Sequence, residues 1–171
     1  EAPRVLSGEI ADCYLDLPPE VIVTVMQSHQ RYVPLKRENA QYDPLALQAR
    51  DVLLSKFLLV SNGLDCADAT IVRGNERVLG ARLADAEFFL NVDRKSPSED
   101  RRDALDRVTF AKGLGSLRER CERMSWMTKR LIESLSIPSD ISIHAKRAAH
   151  FCKHDLVSQM VGEFPELQGL I

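Results

Sequence analysis

No two cysteines of this chain are spaced as C-x-x-C, no serine sits in GxSxG, and no glycine run reads as GxxxxGK[ST] or GxGxxG. These absences argue against a thiolate zinc site, a nucleophile elbow and a phosphate-cradling nucleotide loop. Cys13, Cys66, Cys121 and Cys152 are scattered, which points to reduced thiols in a cytosol-like compartment, so a cytoplasmic location is expected. None of them has an obvious basic partner, leaving covalent catalysis without a candidate. The longest apolar runs, such as Phe57–Val60, are far short of the roughly 20 residues that span a bilayer, so no membrane span is expected. Arg4 is not followed by a continuous apolar stretch and a small-residue cleavage site, so no secretory signal is read. The first residue is not Met, and the chain is expected to be an internal piece of something longer. A net charge of -2 gives no global attraction to nucleic acid, so any RNA contact must come from local patches.

What is present is enough for a core: 171 residues with 44% hydrophobic content make one medium domain or two small ones. Residues 1 to about 64 alternate short strand-like runs with one helix, and the remainder reads mostly as helix. Pro18 and Pro19 before Val21, Ile22, Val25 and Met26 mark a helix start. Arg31–Leu35 reads as a strand, Gln41–Leu47 as a loop, and Val52–Val60 as a strand closed by Ser61, Asn62 and Gly63. Gly63 and Gly74 read as turn glycines. His29, Gln30 and Arg31 sit between a helix and a strand, where turn capping is the first reading. Lys95–Asp100, with Pro97, is the candidate boundary, dividing the chain into an α/β part at 1–95 and a helical part at 96–171. Ser98 suits the cap of a helix at about 99–107. Gly113 and Gly115 break the chain, and Ser116 opens a helix to about Leu135. Asp140 caps another helix, reaching Val161.

Three groups invite a functional reading. In Ile71–Phe89, the helical period places Val78, Leu79, Leu83, Ala86, Phe89 and Leu90 on one face with Arg82 in its midst. A guanidinium among apolar neighbours needs a partner; Asp85 one turn on would brace it, and a phosphate or a subunit contact is the alternative. From Arg94 to Glu133 there are eleven Lys or Arg against seven Asp or Glu, a local basic excess that reads first as a solvated helix face. His144, His150, His154 and Asp155 fall in one predicted helix, with His150 and His154 four apart as in a two-histidine metal site and His154–Asp155 matching an HD dyad. Solvated or capping histidines are the plainer reading. Trp126, Met124 and Met127 read as core, and Phe164, Pro165, Leu167 and Leu170 as an apolar cluster whose partners lie outside the chain.

Five segments in order, LPPEVIVTVMQSHQRYVPL at 17–35, FLLVSNG at 57–63, GNERVLGARLADAEFF at 74–89, VTFAKGLGSL at 108–117 and KHDLVSQMVGEFPELQGLI at 153–171, resemble the beta subunit of bacterial glycyl-tRNA synthetase. The resemblance implies an α+β fold: a small α/β RNA-binding-type domain followed by a truncated, mainly helical, HD-like domain. It implies an enzyme whose separate alpha subunit activates glycine with ATP and Mg2+ and esterifies it to glycine tRNA, while the beta subunit helps hold that tRNA. This part would carry no catalytic residue and bind no cofactor itself. Arg73, Arg77, Lys112, Arg118 and Arg130 are the candidates for tRNA backbone contacts, and Arg82 and Asp85 for a structural or interface role. An HD-type metal-dependent phosphohydrolase, through His150, His154 and Asp155, and a purely structural assembly scaffold are the alternatives. The family commonly carries Ala or Cys where His154 stands. It also usually reads VLRARL at Val78–Leu83, so an arginine contact at position 80 is absent here.

Overall fold

Alternation along Leu53–Ser61 places Leu53, Phe57, Leu59 and Ser61 inward and Lys56 and Val60 outward, the two-residue period of a strand with one buried face. This strand, β3 in a computed structural model that describes residues 2–41, 43 and 46–171, is the centre of a three-stranded antiparallel sheet. Its neighbours are β1 (Arg4–Glu9) and β2 (Val33–Lys36). Proline costs a ladder hydrogen bond, and Pro34 accordingly lies on the edge strand β2, where the register shifts before Lys36. Gly8 of β1 pairs with Phe57, and a Cβ at position 8 would come within 2.5 Å of the Phe57 ring. The missing side chain lets the ring lie flat on the sheet, stacked on Tyr32 at 4.8 Å between centroids.

The expected helix at the paired prolines is α1 (Pro19–Thr24), followed by a π-helical turn at Val25–His29; together they bury Val21, Ile22, Val25 and Met26. The expected Gln41–Leu47 loop falls partly on residues 42, 44 and 45, outside the described residues. A long helix, α2 (Asp68–Lys95), then runs through Gly74, which is helical and not the turn expected of it. The helix is anchored by side chains: Tyr14 donates to the Gly80 carbonyl at 3.0 Å, Glu76 accepts the Glu9 N–H at 2.9 Å, and Arg4 pairs with Asp65 and Asp68.

The chain divides into two compact units, residues 1–91 with 170 and residues 92–169 with 171. In the second, α3 (Ser98–Ala104) starts with Pro97 at the cap position, so Ser98 is the first helical residue rather than the cap. A short hairpin, β4 (Thr109–Ala111) and β5 (Gly115–Ser116), turns through Gly113 and Gly115, both at φ +80°. Ser116 then caps α4 (Leu117–Ser134) in a reciprocal box: its Oγ accepts the Glu119 N–H at 3.2 Å, and its N–H donates to Glu119 Oε2 at 2.7 Å. Leu105, Leu117 and Cys121 form the core, with Val108, Phe110, Leu156 and Val157 packed around them.

The helix α5 (Ser139–Phe151) stops ten residues earlier than the sequence pattern suggests. Lys153 takes a left-handed φ of 70°, His154–Val157 form a 3-10 turn, and Ser158 caps the short α6 (Gln159–Glu163). Asp93 in the last turn of α2 accepts the first two N–H groups of α6, from Gln159 and Met160, both at 2.9 Å. Of the expected terminal cluster, Phe164 and Leu167 are buried within the chain, while Pro165 and Leu170 are exposed.

Candidate functional site

The first unit offers a polar cavity at the end of the π-helical turn. Arg31 sits there at φ 58°, a left-handed conformation that costs a non-glycine residue about 1–2 kcal/mol. The strain is held by the Arg31 N–H donating to the Gln27 carbonyl at 3.2 Å and the Tyr32 N–H to Met26 at 2.8 Å. Gln30 and Arg31, read from sequence as turn-capping, with Tyr32, Ser61, Asn62 and Asn75, line a cavity of about 570 Å³. Tyr32 donates its hydroxyl to Asn75, whose amide donates to the Ile71 carbonyl at 2.7 Å, so both side chains are held in place. Burial pushes the Tyr32 hydroxyl up from the ordinary tyrosine range and keeps it a donor.

Arg73 and Arg77 lie one turn apart on the exposed side of α2, free for an anion apart from a 3.3 Å contact of Arg73 to Thr70. Arg82 also points to solvent, which corrects its expected place within an apolar face. The helix buries a narrower stripe, Leu79, Leu83, Ala86 and Leu90, and at ~100° per residue Arg82 lies on the flank beside Val78, itself 48% exposed. Asp85 is exposed too, and among the described residues no ion pair joins it to Arg82.

In the second unit, Lys112 is exposed at the tip of the β4–β5 hairpin, while Arg118 is bound to Asp103 at 3.0 Å and Glu122 at 3.4 Å. Arg130 stands over Trp126 at 5.6 Å and reaches Glu133 at 3.9 Å. Trp126, Met124 and Met127, expected in the core, are exposed, Trp126 at 58%. The inward stripe of α4 is Leu117, Cys121, Ser125, Thr128 and Ile132. Cys121 is buried, and its thiol is pushed up to about 11 by that burial and the neighbouring Cys152, so it is protonated at neutral pH and no nucleophile.

The break at Lys153 separates the histidines. His150 closes α5 and faces the Glu99 carboxylate at 3.2 Å, while His154 lies in the following turn against the Phe151 ring. Their expected shared helix face does not exist. Asp155 is buried and accepts the Gly169 N–H at 2.7 Å. Among the described residues no group of three or more His, Cys, Asp or Glu is placed to hold a metal ion.

One grouping was not legible in the sequence. Ser125 and Lys129 of α4 face Lys146, Arg147 and His150 of α5 across a cleft of about 310 Å³. Only the helical hairpin brings these cations together; the signal available was the i, i+4 spacing of Ser125 and Lys129 on one helix and of Lys146 and His150 on the other.

The family description "glycyl-tRNA synthetase beta subunit" matches residues 1–171 without interruption. The chain belongs to this family. It is 42% identical over its whole length to the glycine-tRNA ligase beta subunit of Trichodesmium erythraeum, 40% to that of Oceanobacillus iheyensis and 39% to that of Bacillus subtilis. It spans 23%, 23% and 24% of those three proteins, so it corresponds to about a quarter of a beta subunit. Position 80, where the resemblance led us to expect arginine, is glycine in this chain. A Cβ there would meet nothing within 4 Å, so the fold does not itself demand the missing side chain. No helix among the described residues is long and apolar enough to cross a membrane.

Proposed function

We propose that this chain is a tRNA-holding part of a glycine-tRNA ligase, working with an alpha subunit that charges glycine tRNA using ATP and Mg2+. The observation that carries the reading is the match to the beta subunit family over all 171 residues. On this reading the first unit is an RNA-binding-type α/β module and the second an HD-like helical module, and the protein acts in the cytoplasm. Neither unit is assigned a chemical step. Arg73, Arg77 and Lys112 are exposed, with no carboxylate within ion-pair distance among the described residues, and suit phosphate contacts. Arg118 and Arg130 are partly neutralised by Asp103, Glu122 and Glu133, so each contributes less, by steering rather than direct pairing. Arg82 and Asp85, both exposed, suit an interface within the assembly. His150, His154 and Asp155 are engaged by Glu99, Phe151 and Gly169, which supports a structural role for them.

The test is a titration of the intact protein with glycine tRNA and a non-cognate tRNA at about 50 and 200 mM salt. Saturable binding that weakens steeply with salt supports the reading, and the Arg73→Gln, Arg77→Gln pair should weaken it several-fold. Binding that is absent, or indifferent to both salt and the substitutions, removes it.

A further inference from the structure

The cleft between α4 and α5 gathers charge that the rest of its unit leaves unneutralised. Lys129, Lys146 and Arg147 are exposed, and none has a carboxylate within 4.0 Å among the described residues. His150, which also lines the cleft, faces the Glu99 carboxylate at 3.2 Å. Like charges placed together on two packed helices repel, so the arrangement costs stability unless an anion enters. The cleft floor is fixed: Ser125 Oγ donates to the Ala149 carbonyl at 3.2 Å, and Arg102 Nε to the His150 carbonyl at 3.1 Å. A volume of about 310 Å³ admits a phosphate with its flanking sugar.

On the same surface of α4, one turn before Lys129 and Arg130, stands Trp126. Its indole is largely uncovered, with Arg130 5.6 Å from the ring centre. Cations that track a backbone beside an open aromatic face are the two components of single-strand recognition: the phosphate is held electrostatically and the adjoining base stacks. A duplex offers the phosphates but keeps its bases stacked on each other.

We infer that the α4–α5 cleft binds the phosphodiester backbone of an unpaired RNA segment through Lys129, Lys146 and Arg147, with Trp126 stacking a neighbouring base. This deepens the tRNA-holding reading and rests on it. Lys129 belonged to the broad basic region, but Lys146 and Arg147 lie outside it, and the hairpin alone assembles the site.

The test uses the intact protein in its native assembly, with glycine tRNA, a short single-stranded RNA and a blunt duplex of equal length as probes. Lys146→Gln with Arg147→Gln should weaken tRNA binding about tenfold and flatten the salt dependence, by roughly 0.7 in log–log slope per lost contact to a single strand. Trp126→Ala should weaken the single strand by roughly five- to a hundredfold and leave the duplex unchanged, while Trp126→Phe restores most of the loss. All these side chains are exposed, and Lys56→Gln in the first unit serves as a charge-matched control with no expected effect. If wild-type tRNA binding is salt-dependent and the cleft pair leaves it unchanged, the cleft assignment falls while the tRNA-holding reading stands. Equal losses on duplex and single strand with Trp126→Ala overturn the stacking role. A wild-type protein that binds none of the RNAs overturns both.

Discussion

The two units solve the same problem, satisfying backbone polar groups around a small core, by different means. In the first, β3 pairs on both edges, and the ladder consumes its N–H and C=O groups while Phe57, Val21, Ile22, Val25 and Met26 fill the buried side. In the second, short helices leave many free ends, and side chains reach across to close them. Asp93 closes the start of α6; Ser125 and Arg102 take the α5 carbonyls of Ala149 and His150, and Cys121 that of Cys152 just past the helix; Asp155 takes the Gly169 N–H. A unit closed by its sheet should be most sensitive to lost apolar volume, and a unit closed by side chains to lost polar partners.

The largest expected effect is in the sheet. Phe57→Ala removes a fully buried ring, its stack on Tyr32 and its seat over Gly8, and should cost about 3–5 kcal/mol. All tyrosines precede residue 91 and the one tryptophan follows it, so tyrosine signals report the first unit and Trp126 the second in urea unfolding. Loss confined to the tyrosine transition fits separate cores; an equal shift of both would show that the units unfold as one. The mirror experiment is Asp93→Ala, which strands two N–H groups at the start of α6 and should lower the Trp126 transition by about 2–3 kcal/mol. Asp93→Asn keeps one acceptor and should cost less. If Asp93→Ala costs no more than a surface substitution, the side-chain closure described for the second unit is wrong.

This contrast also explains what could be read from sequence. β3, the α1 start at Pro19 and the Ser116 cap are local signals: alternation, a proline in the first turn, a Ser-x-x-Glu box. The end of α5 has no local signal. Neither Cys152 nor Lys153 is a helix breaker, and the break is stabilised by Arg102 and Cys121, distant in sequence, which take the freed carbonyls. The two-histidine face therefore looked plausible and was absent. Arg82 failed for a different reason: the apolar pattern of α2 was wide enough to include Val78 and Phe89, but only Leu79, Leu83, Ala86 and Leu90 are buried. The α4–α5 cleft needed tertiary structure altogether.

Alkaline pH separates the units more gently. Burial holds the native Cys121 thiol up at about 11, whereas an unfolded thiol ionises near the ordinary value of 9.0. Between those values the unfolded chain releases a proton that the folded one retains. Stability is fully present below about pH 9 and is lost as pH rises through 11, at roughly 1 kcal/mol per pH unit. Tyr14 and Tyr32 are raised by burial from 10.0, so the first unit begins to weaken only above pH 10. The urea midpoint read by Trp126 should fall between pH 8 and 10, and Cys121→Ala should flatten that fall whatever its own cost; an unchanged slope would assign the loss to another group.

The smallest effect distinguishes glycines that the packing needs from those it tolerates. At Gly8 a Cβ would meet the Phe57 ring at 2.5 Å, and the ring is boxed in by Tyr32 and the sheet, so Gly8→Ala should destabilise. At Gly80 nothing lies within 4 Å of the added carbon, the backbone is helical, and the carbonyl that accepts the Tyr14 hydroxyl is untouched. There the glycine only adds freedom to the unfolded chain, so Gly80→Ala should stabilise by about 0.5–1 kcal/mol. A gain read in the tyrosine transition would mean that the backbone of α2 tolerates a side chain at position 80. A loss would mean that the close approach of Tyr14 requires the helix to flex at this point, and the glycine would then be part of how α2 is seated on the first unit.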